Sequence, residues 1–301
     1  MRTIRALSMK LTLCLLLLPV AICGAAPAAD TDYRDVFIKA SQNLLNLKSY
    51  HMTMDAAGSM IMDGKTMGFV SGGQSDVQLK PMLMKNTLTA TMDAGGKKSA
   101  YTMAQYIEEN GDKLAVYSYA DNKWTRQVMT NPAGGYGDYR KYLDSFIKGI
   151  TGVKLVRETD AVLVLEAAVS AGCLQEGLEK AIAAAVGQKI KLPESLFDDL
   201  GDFKYTAVIA KDSQQITELS MNMAEFVTSM AQTIIEPLRL PDDQKALAEE
   251  ILKSVRMQVK ISLSRYNAIE PIIIPREAKN APLVAPPAKQ ESPKGGTSSG
   301  E

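Results

Sequence analysis

Four Met-x-Met doublets recur along the chain: Met52/Met54, Met60/Met62, Met82/Met84 and Met221/Met223. Each lies in a stretch patterned as a β-strand, where residues i and i+2 point to the same face. Each doublet therefore sets two thioethers side by side. Methionine is unbranched and polarisable, so it fills irregular cores and lines surfaces that adapt to varied apolar partners. One chemistry open to such a set is a deformable apolar site for an acyl chain, lipid or lipidated partner. Soft-metal ligation is another, because thioethers suit Cu(I) and His51 adjoins Met52. In a strand, however, His51 and Met52 face opposite ways, and the doublets are spread along the chain, so copper is the weaker alternative. Plain core packing is the third reading, since apolar residues on one sheet face are expected inside.

Covalent or acid–base chemistry finds little material. His51 is the single histidine. No G-x-S-x-G elbow, HExxH, CxxC, Walker loop or GxGxxG occurs. Ser145 and Lys148 fit S-x-x-K without a K-T-G partner, and Asp198-Asp199 and Asp242-Asp243 carry no further pattern. The expectation is a protein that is not an enzyme and uses no cofactor or metal. Trp124, the lone tryptophan, follows an Asp121-Asn122 turn. It joins the apolar-cavity candidates as a rim anchor, with a plug of the core as the preferred reading.

The amino terminus sets the compartment. Arg2, Arg5 and Lys10 precede an apolar run from Leu11 to Val20, with small residues up to Ala29. That is the layout of an export signal over residues 1–29, and the run is too short to span a bilayer. Val20-Ala21-Ile22-Cys23 has the outline of a lipobox, though Ile22 sits where a small residue is wanted. Cleavage near Ala25 to Ala29 is preferred. Acylation of Cys23 after a signal ending at residue 22 stays open and would anchor the protein to a membrane. The destination is the periplasm or the outer side of the cell envelope. Cys173 is then the one ordinary thiol of the mature chain, so no intrachain disulfide framework can form.

Acidic and basic residues balance at 34 each. No global field attracts nucleic acid, and no basic stripe with interleaved aromatics is present. Residues 281–301 are rich in Pro, Gly, Ser and Lys and read as a disordered tail. The body, residues 30–280, reads as one domain.

Helical spacing of Tyr33, Val36, Phe37, Ala40, Leu44 and Leu47 predicts an opening helix from Asp32 to Leu47. A meander of five or six strands follows, ending near Met129. Its turn signals are Asp63-Gly64, Gly72-Gly73, Asp93-Ala94-Gly95-Gly96, Asn110-Gly111 and Asp121-Asn122. Helices are expected around Tyr139–Ile147, Leu174–Val186 and Pro193–Leu200, with a buried strand at Ala161–Ala168 between them. A hairpin of Tyr205–Ala210 and Ile216–Met223 comes next, then a helix opened by Pro241-Asp242-Asp243. The alternation of Met257, Val259, Ile261 and Leu263 with Arg256, Gln258, Lys260 and Ser262 predicts a strand with one apolar face. Ile272–Ile274, between Pro271 and Pro275, reads as a closing edge strand. This order gives an α+β protein: a large curved antiparallel sheet whose concave face is covered by helices.

Three stretches carry a resemblance. They are Leu47-Lys48-Ser49-Tyr50-His51-Met52-Thr53-Met54 after the first helix, Tyr117 to Trp124-Thr125, and Ser264-Arg265-Tyr266-Asn267-Ala268-Ile269-Glu270-Pro271 leading to Ile274-Pro275-Arg276-Glu277-Ala278. They resemble a family of secreted bacterial proteins known only as a domain of unknown function. The wider likeness is to the LolA/LolB lipoprotein carriers and the mycobacterial LppX/LprG lipid carriers. That resemblance implies a LolA-like unclosed β-barrel holding acyl chains, with no catalytic residues to carry over. Two departures are the imperfect lipobox and the helical insertion between Glu225 and Ser254. The competing function is a structural or regulatory protein-interaction module whose core is filled by its own helices.

Overall fold

The computed structural model describes residues 31–62, 64–130, 147–170, 172, 175, 179, 202–225, 227–228 and 242–284. Helix α1 (Thr31–Asn46) leads into a six-strand meander. It comprises β1 (Ser49–Met62), β2 (Lys65–Leu79), β3 (Met82–Ala94), β4 (Lys97–Asn110), β5 (Lys113–Ala120) and β6 (Lys123–Thr130). The second half contains β7 (Ile150–Glu158), β8 (Val162–Ser170), β9 (Asp202–Ala210), β10 (Ile216–Asn222) and β11 (Arg256–Ser264). Helix α2 (Asp242–Ser254) precedes β11, and the short α3 (Arg276–Lys279) follows it.

All strands join one antiparallel sheet of 11 strands in the order β6-β5-β4-β3-β2-β1-β11-β10-β9-β8-β7. The chain walks outward from β1 to one edge, reappears at the other edge and walks back to β11. The sheet is unclosed, with β6 and β7 as its outer strands. Irregular register at Ile150/Gly152, Leu155/Arg157 and Ile216/Glu218 marks bulges on the β7–β10 side, which bend and twist strands locally.

Side-chain alternation gives the sheet two unlike faces. One carries Met54, Val77, Leu88, Ile107, Val116, Val259, Ala207 and Leu165, all buried. The other carries Thr53, Asp55, Gln74, Lys85, Thr87, Gln258 and Lys260, which lie opposite one another across the same ladders. Helix α1 packs on the apolar face. Its Phe37 and Ala40 are fully buried with Leu165, Ala167, Tyr205 and Ile209, and the Phe37 and Tyr205 rings are 5.8 Å apart. Helix α2 abuts the far end of β1, where the Ile61 amide donates to Ser254 Oγ at 2.8 Å.

After β11 the chain forms a strap. Arg265 and Asn267 take left-handed backbone angles in the turn. The Asn267 amide donates to the Ser49 carbonyl at 2.7 Å, and its side-chain oxygen accepts from the Lys48 amide at 2.6 Å. Farther on, Ile274 and Ala278 pack with Ala115 and Tyr117 on the polar face. Leu283 then bridges to Arg126 in parallel on the edge strand β6.

Several expectations need correcting. Gly72-Gly73 is no turn, because β2 runs straight through it. Leu88 occupies the space over Gly73, so that a Cβ there would stand 2.8 Å from Leu88 Cδ2. The chain turns instead at Lys80-Pro81. Ile272–Ile274 is not a strand but part of the strap, and Ile274 is buried in a side-chain cluster instead of a ladder. The helices are not all on one face, since α3 covers β5 and β6 from the polar side. Residues 281–284 belong to the folded body: the Val284 amide donates to the Arg126 carbonyl at 2.7 Å. Strand β7 was not expected at all. The residues 1–29, most of the Tyr139–Ile147 and Leu174–Val186 stretches, Pro193–Leu200, and Cys23 and Cys173 lie outside the described residues.

Tyr266 ties the strap to the sheet. Its hydroxyl donates where it lies 2.6 Å from the Ile216 carbonyl and 2.9 Å from that of Leu263. Burial pushes its pKa up to about 12 and raises those of Tyr205 and Tyr117 as well. Between about pH 10 and about pH 12 the unfolded chain has shed protons that the folded chain keeps, so stability falls as pH rises through that window. Urea midpoints measured at about pH 9 and about pH 11 should show the decline. Tyr266→Phe should make it shallower while costing about 1 kcal/mol at neutral pH through the lost hydrogen bond. An equal decline in the variant would assign the effect elsewhere.

Candidate functional site

Every methionine in a described strand lies on the apolar face. The registers place Met52 and Met54 beside Leu263 and Ile261, Met60 opposite Met67, and Met62 opposite Lys65. Met84 lies between Val77 and Ile107, and Met82 is next along β3 on the same side. Met221 faces Val259, and Met223, one residue past β10, bonds through its amide to the Met257 carbonyl at 2.9 Å. The singletons Met67, Met92, Met103, Met129 and Met257 share the face. Doublet spacing could not reveal them. Their parity within each strand is the signal that would have.

The doublets fall into three environments. Met54 and Met223 are buried in one cluster with Leu88, Met103 and Val259, and Met52 and Met221 pack against it. Met82 and Met84 are buried in a second cluster with Val77, Ile107, Leu114 and Val116. Met60 and Met62, by contrast, are each 39% exposed, and Met92 nearby is 36% exposed. The structure thus brings Met52, Met54, Met221 and Met223 together, sets Met82/Met84 apart, and leaves Met60/Met62 at an uncovered end of the same face.

Trp124 does not belong with them. It lies opposite Tyr119 on β5, whose parity is that of Tyr117, Tyr106 and Lys85 on the polar face. Its ring stands 5.1 Å from Tyr119 and 5.9 Å from Tyr106, in the cluster under Ile274 and Ala278. Its place is the plug under the strap, away from the methionines.

On the polar face an ionisable group gathers around His51. His51 Nδ1 is 2.7 Å from Asp76 Oδ1, with Arg265 Nη1 3.8 Å from the same oxygen. His51 therefore faces away from Met52, and no mixed imidazole–thioether site forms there. Among the described residues, no group of three His, Cys, Asp or Glu side chains could hold a metal. An open groove of about 490 Å³ also lies on this side, lined by Ala57, Gly68, Val70, Thr91, Lys98 and Arg256 among others.

Electrostatically the methionine face is neutral inside. Its charged residues sit at strand ends: Lys65, Lys97, Glu109, Lys123 and Glu158. The central strands expose only thioether, aliphatic, aromatic and uncharged polar groups on this side.

Residues 32–282 match a family of unknown function, DUF6612. The chain belongs to that family. The match spans α1 from its second residue, the whole sheet and the strap as far as Pro282, including every stretch on which the sequence resemblance rests. No curated protein matches the chain. Among solved structures, it resembles the crystal structure of a DUF1329 family protein from Desulfovibrio piger ATCC 29098. The two share 9% identity over 79% of this chain and 93% of the other, with a TM-score of 0.25. Among the described residues, no helix is long and apolar enough to cross a membrane.

The two kinds of methionine should respond differently to truncation. Met54→Ala and Met103→Ala each leave a cavity in a packed cluster and should cost about 2–5 kcal/mol. Met60→Ala and Met62→Ala remove exposed side chains and should stay within about 0.5 kcal/mol of the parent. Chemical denaturation of the four variants tests the contrast, and equal losses would place Met60 and Met62 in the core.

Proposed function

We propose that this member of DUF6612 is an exported envelope protein that holds an acyl chain, a lipid or a lipidated partner against its methionine face, without catalysis. The observation that carries the reading is the parity of the methionines. They converge from β1–β4, β6, β10 and β11 onto one face whose charged residues sit only at strand ends and part of which remains exposed. Burying that exposed end against a hydrocarbon chain would gain about 25 cal/mol per Å² of apolar area removed from water. Flexible thioethers let the surface follow a chain that has no fixed shape. The likeness to LolA/LolB and LppX/LprG carriers, carried by the sequence motifs, points the same way. Residues 1–29 supply the export signal in this reading, and Cys23 is either removed with it or acylated as an anchor.

The protein-interaction module is the second reading. It draws on α1, whose fully buried Phe37 and Ala40 already fill the face over β7–β10. Titration of the mature chain with a fluorescent fatty-acid probe separates the two. Saturable uptake is expected. It should weaken at least about tenfold in a Met60→Asp/Met92→Asp double variant, where charge meets the chain. Trp124 emission should stay constant on loading, because the ring lies on the other face. A chain that takes up no probe, or one whose uptake ignores both substitutions, leaves the interaction module as the better account.

A further inference from the structure

The methionine face is interrupted by one polar row. Ser75, Asn86, Gln105 and Ser118 lie directly opposite one another on β2, β3, β4 and β5, all pointing to the apolar side. On one flank are Val77, Met84, Ile107 and Val116 of one cluster, and on the other Leu88 and Met103 of the next. The row is why these are two clusters and not one.

Its middle is buried and unsatisfied. Ser75 is 2%, Asn86 1% and Gln105 3% exposed. Gln105 Nε2 donates to Ser118 Oγ at 3.1 Å, but Gln105 Oε1 has no partner, and neither Oδ1 nor Nδ2 of Asn86 has one. The hydroxyl of Ser71, two residues before Gly73 on the same face, is also buried without a partner. Native proteins pair nearly all buried polar groups, and a carboxamide with both ends unmatched in an apolar setting is among the costlier exceptions. Leu or Met at position 86 would have joined the clusters. A polar residue retained there is accounted for if something other than the protein completes it.

We propose that the Asn86–Gln105 row anchors the polar head of the ligand whose chain lies on the methionines, and that this head is uncharged and both donates and accepts hydrogen bonds. The inference rests on the apolar-ligand reading above and specifies its ligand class. Asn86 offers two N–H donors and a carbonyl acceptor, and Gln105 a further acceptor. Among the described strand residues, no cation or carboxylate stands within the row to neutralise a charged head, since these strands carry charge on this face only at their ends. A hydroxyl-bearing ester, such as a monoacylglycerol, or an acyl amide meets both demands, whereas a free carboxylate would leave the Asn86 carbonyl facing an anion. A site built to hydrogen-bond a hydroxyl or N–H discriminates strongly against analogues lacking it, because its own buried groups are then left unpaired.

The test uses the mature full-length chain, displacement of a bound fluorescent acyl probe, and two competitors, monopalmitoylglycerol and hexadecane. In the parent, monopalmitoylglycerol should displace at concentrations at least about tenfold lower than hexadecane. Asn86→Leu, close in volume and free of polar atoms, should erase that preference by weakening the glycerol ester alone. The same variant should unfold at higher denaturant than the parent in the absence of ligand, because an unmatched buried amide has gone. Gln105→Leu supplies a second reading of the preference should Asn86→Leu fail to fold. If both competitors displace equally and neither variant changes the ratio, the anchor is wrong and water alone completes the row, while the apolar site stands. If neither competitor displaces and the probe itself does not bind, the apolar site and its anchor fall together.

Discussion

The pairing of β1 with β11 is the constraint on which the molecule depends. The meander β1–β6 and the returning strands β7–β11 are two sheets in sequence, and this one ladder, from His51–Ser264 to Ser59–Arg256, makes them one. Because side chains alternate with a period of two, a slip of one residue here would turn Met52, Met54 and Ala56 toward solvent and His51, Thr53 and Asp55 toward the core. The register is pinned at both ends. At one, the Asn267 turn clasps Lys48 and Ser49, and Tyr266 reaches the Ile216 and Leu263 carbonyls. At the other, the Ile61 amide is held by Ser254. The resemblance motifs around Leu47–Met54 and Ser264–Pro271 are the two sides of this seam.

Once the seam is fixed, the two halves solve the problem of the apolar face differently. Over β7–β10, α1 supplies aromatic and small residues that close-pack, with Phe37 against Tyr205 and Ala40 fully enclosed. Over the far ends of β1–β3 the face ends in exposed methionines. Exposed leucine or phenylalanine in a continuous patch would invite non-specific association. Methionine, polarisable and flexible, gives that patch a surface that adapts to its contacts. The polar side shows the complementary economy. There the strap from Arg265 to Val284 covers Tyr117 and Trp124 and lays a parallel bridge along β6, which shields part of an otherwise open edge from pairing with another chain.

What the sequence made legible follows from which signals are local. The strands of the meander and the Met257–Leu263 alternation were readable because a half-buried antiparallel strand writes its period into consecutive residues. The α1 helix was readable from the spacing of Tyr33, Val36, Phe37, Ala40 and Leu44. Gly72-Gly73 misled because glycine marks turns in general, whereas here it clears room for Leu88 in mid-strand. Strand β7 escaped because its bulges at Gly152 and Arg157 break the alternation that would have announced it. Trp124 reads as a neighbour of the methionines because its face is set by a register running from β1 to β6, which no local pattern encodes. Ile272–Ile274 looked like a strand by composition, yet its partners are a cluster on the opposite side of the sheet.

The polar row shows the same limit from the other direction. Asn86 sits in Met84-Lys85-Asn86-Thr87-Leu88, where it reads as one more polar residue among several, and Gln105 in Met103-Ala104-Gln105-Tyr106-Ile107 is equally plain. Only the ladders put Ser75, Asn86, Gln105 and Ser118 on one line, and only parity puts that line inside. A random polar intrusion into an apolar face would be expected at a strand end, where water can reach it. This one spans four adjacent strands at mid-length, between two buried clusters, and leaves a full carboxamide unmatched. A core selected for packing alone would have lost it, since each local choice in a stable fold tends to agree with the whole. Places where that agreement fails are where function is to be sought, and in this chain the failure lies beside the methionines, on the face that has the most to gain from a bound chain.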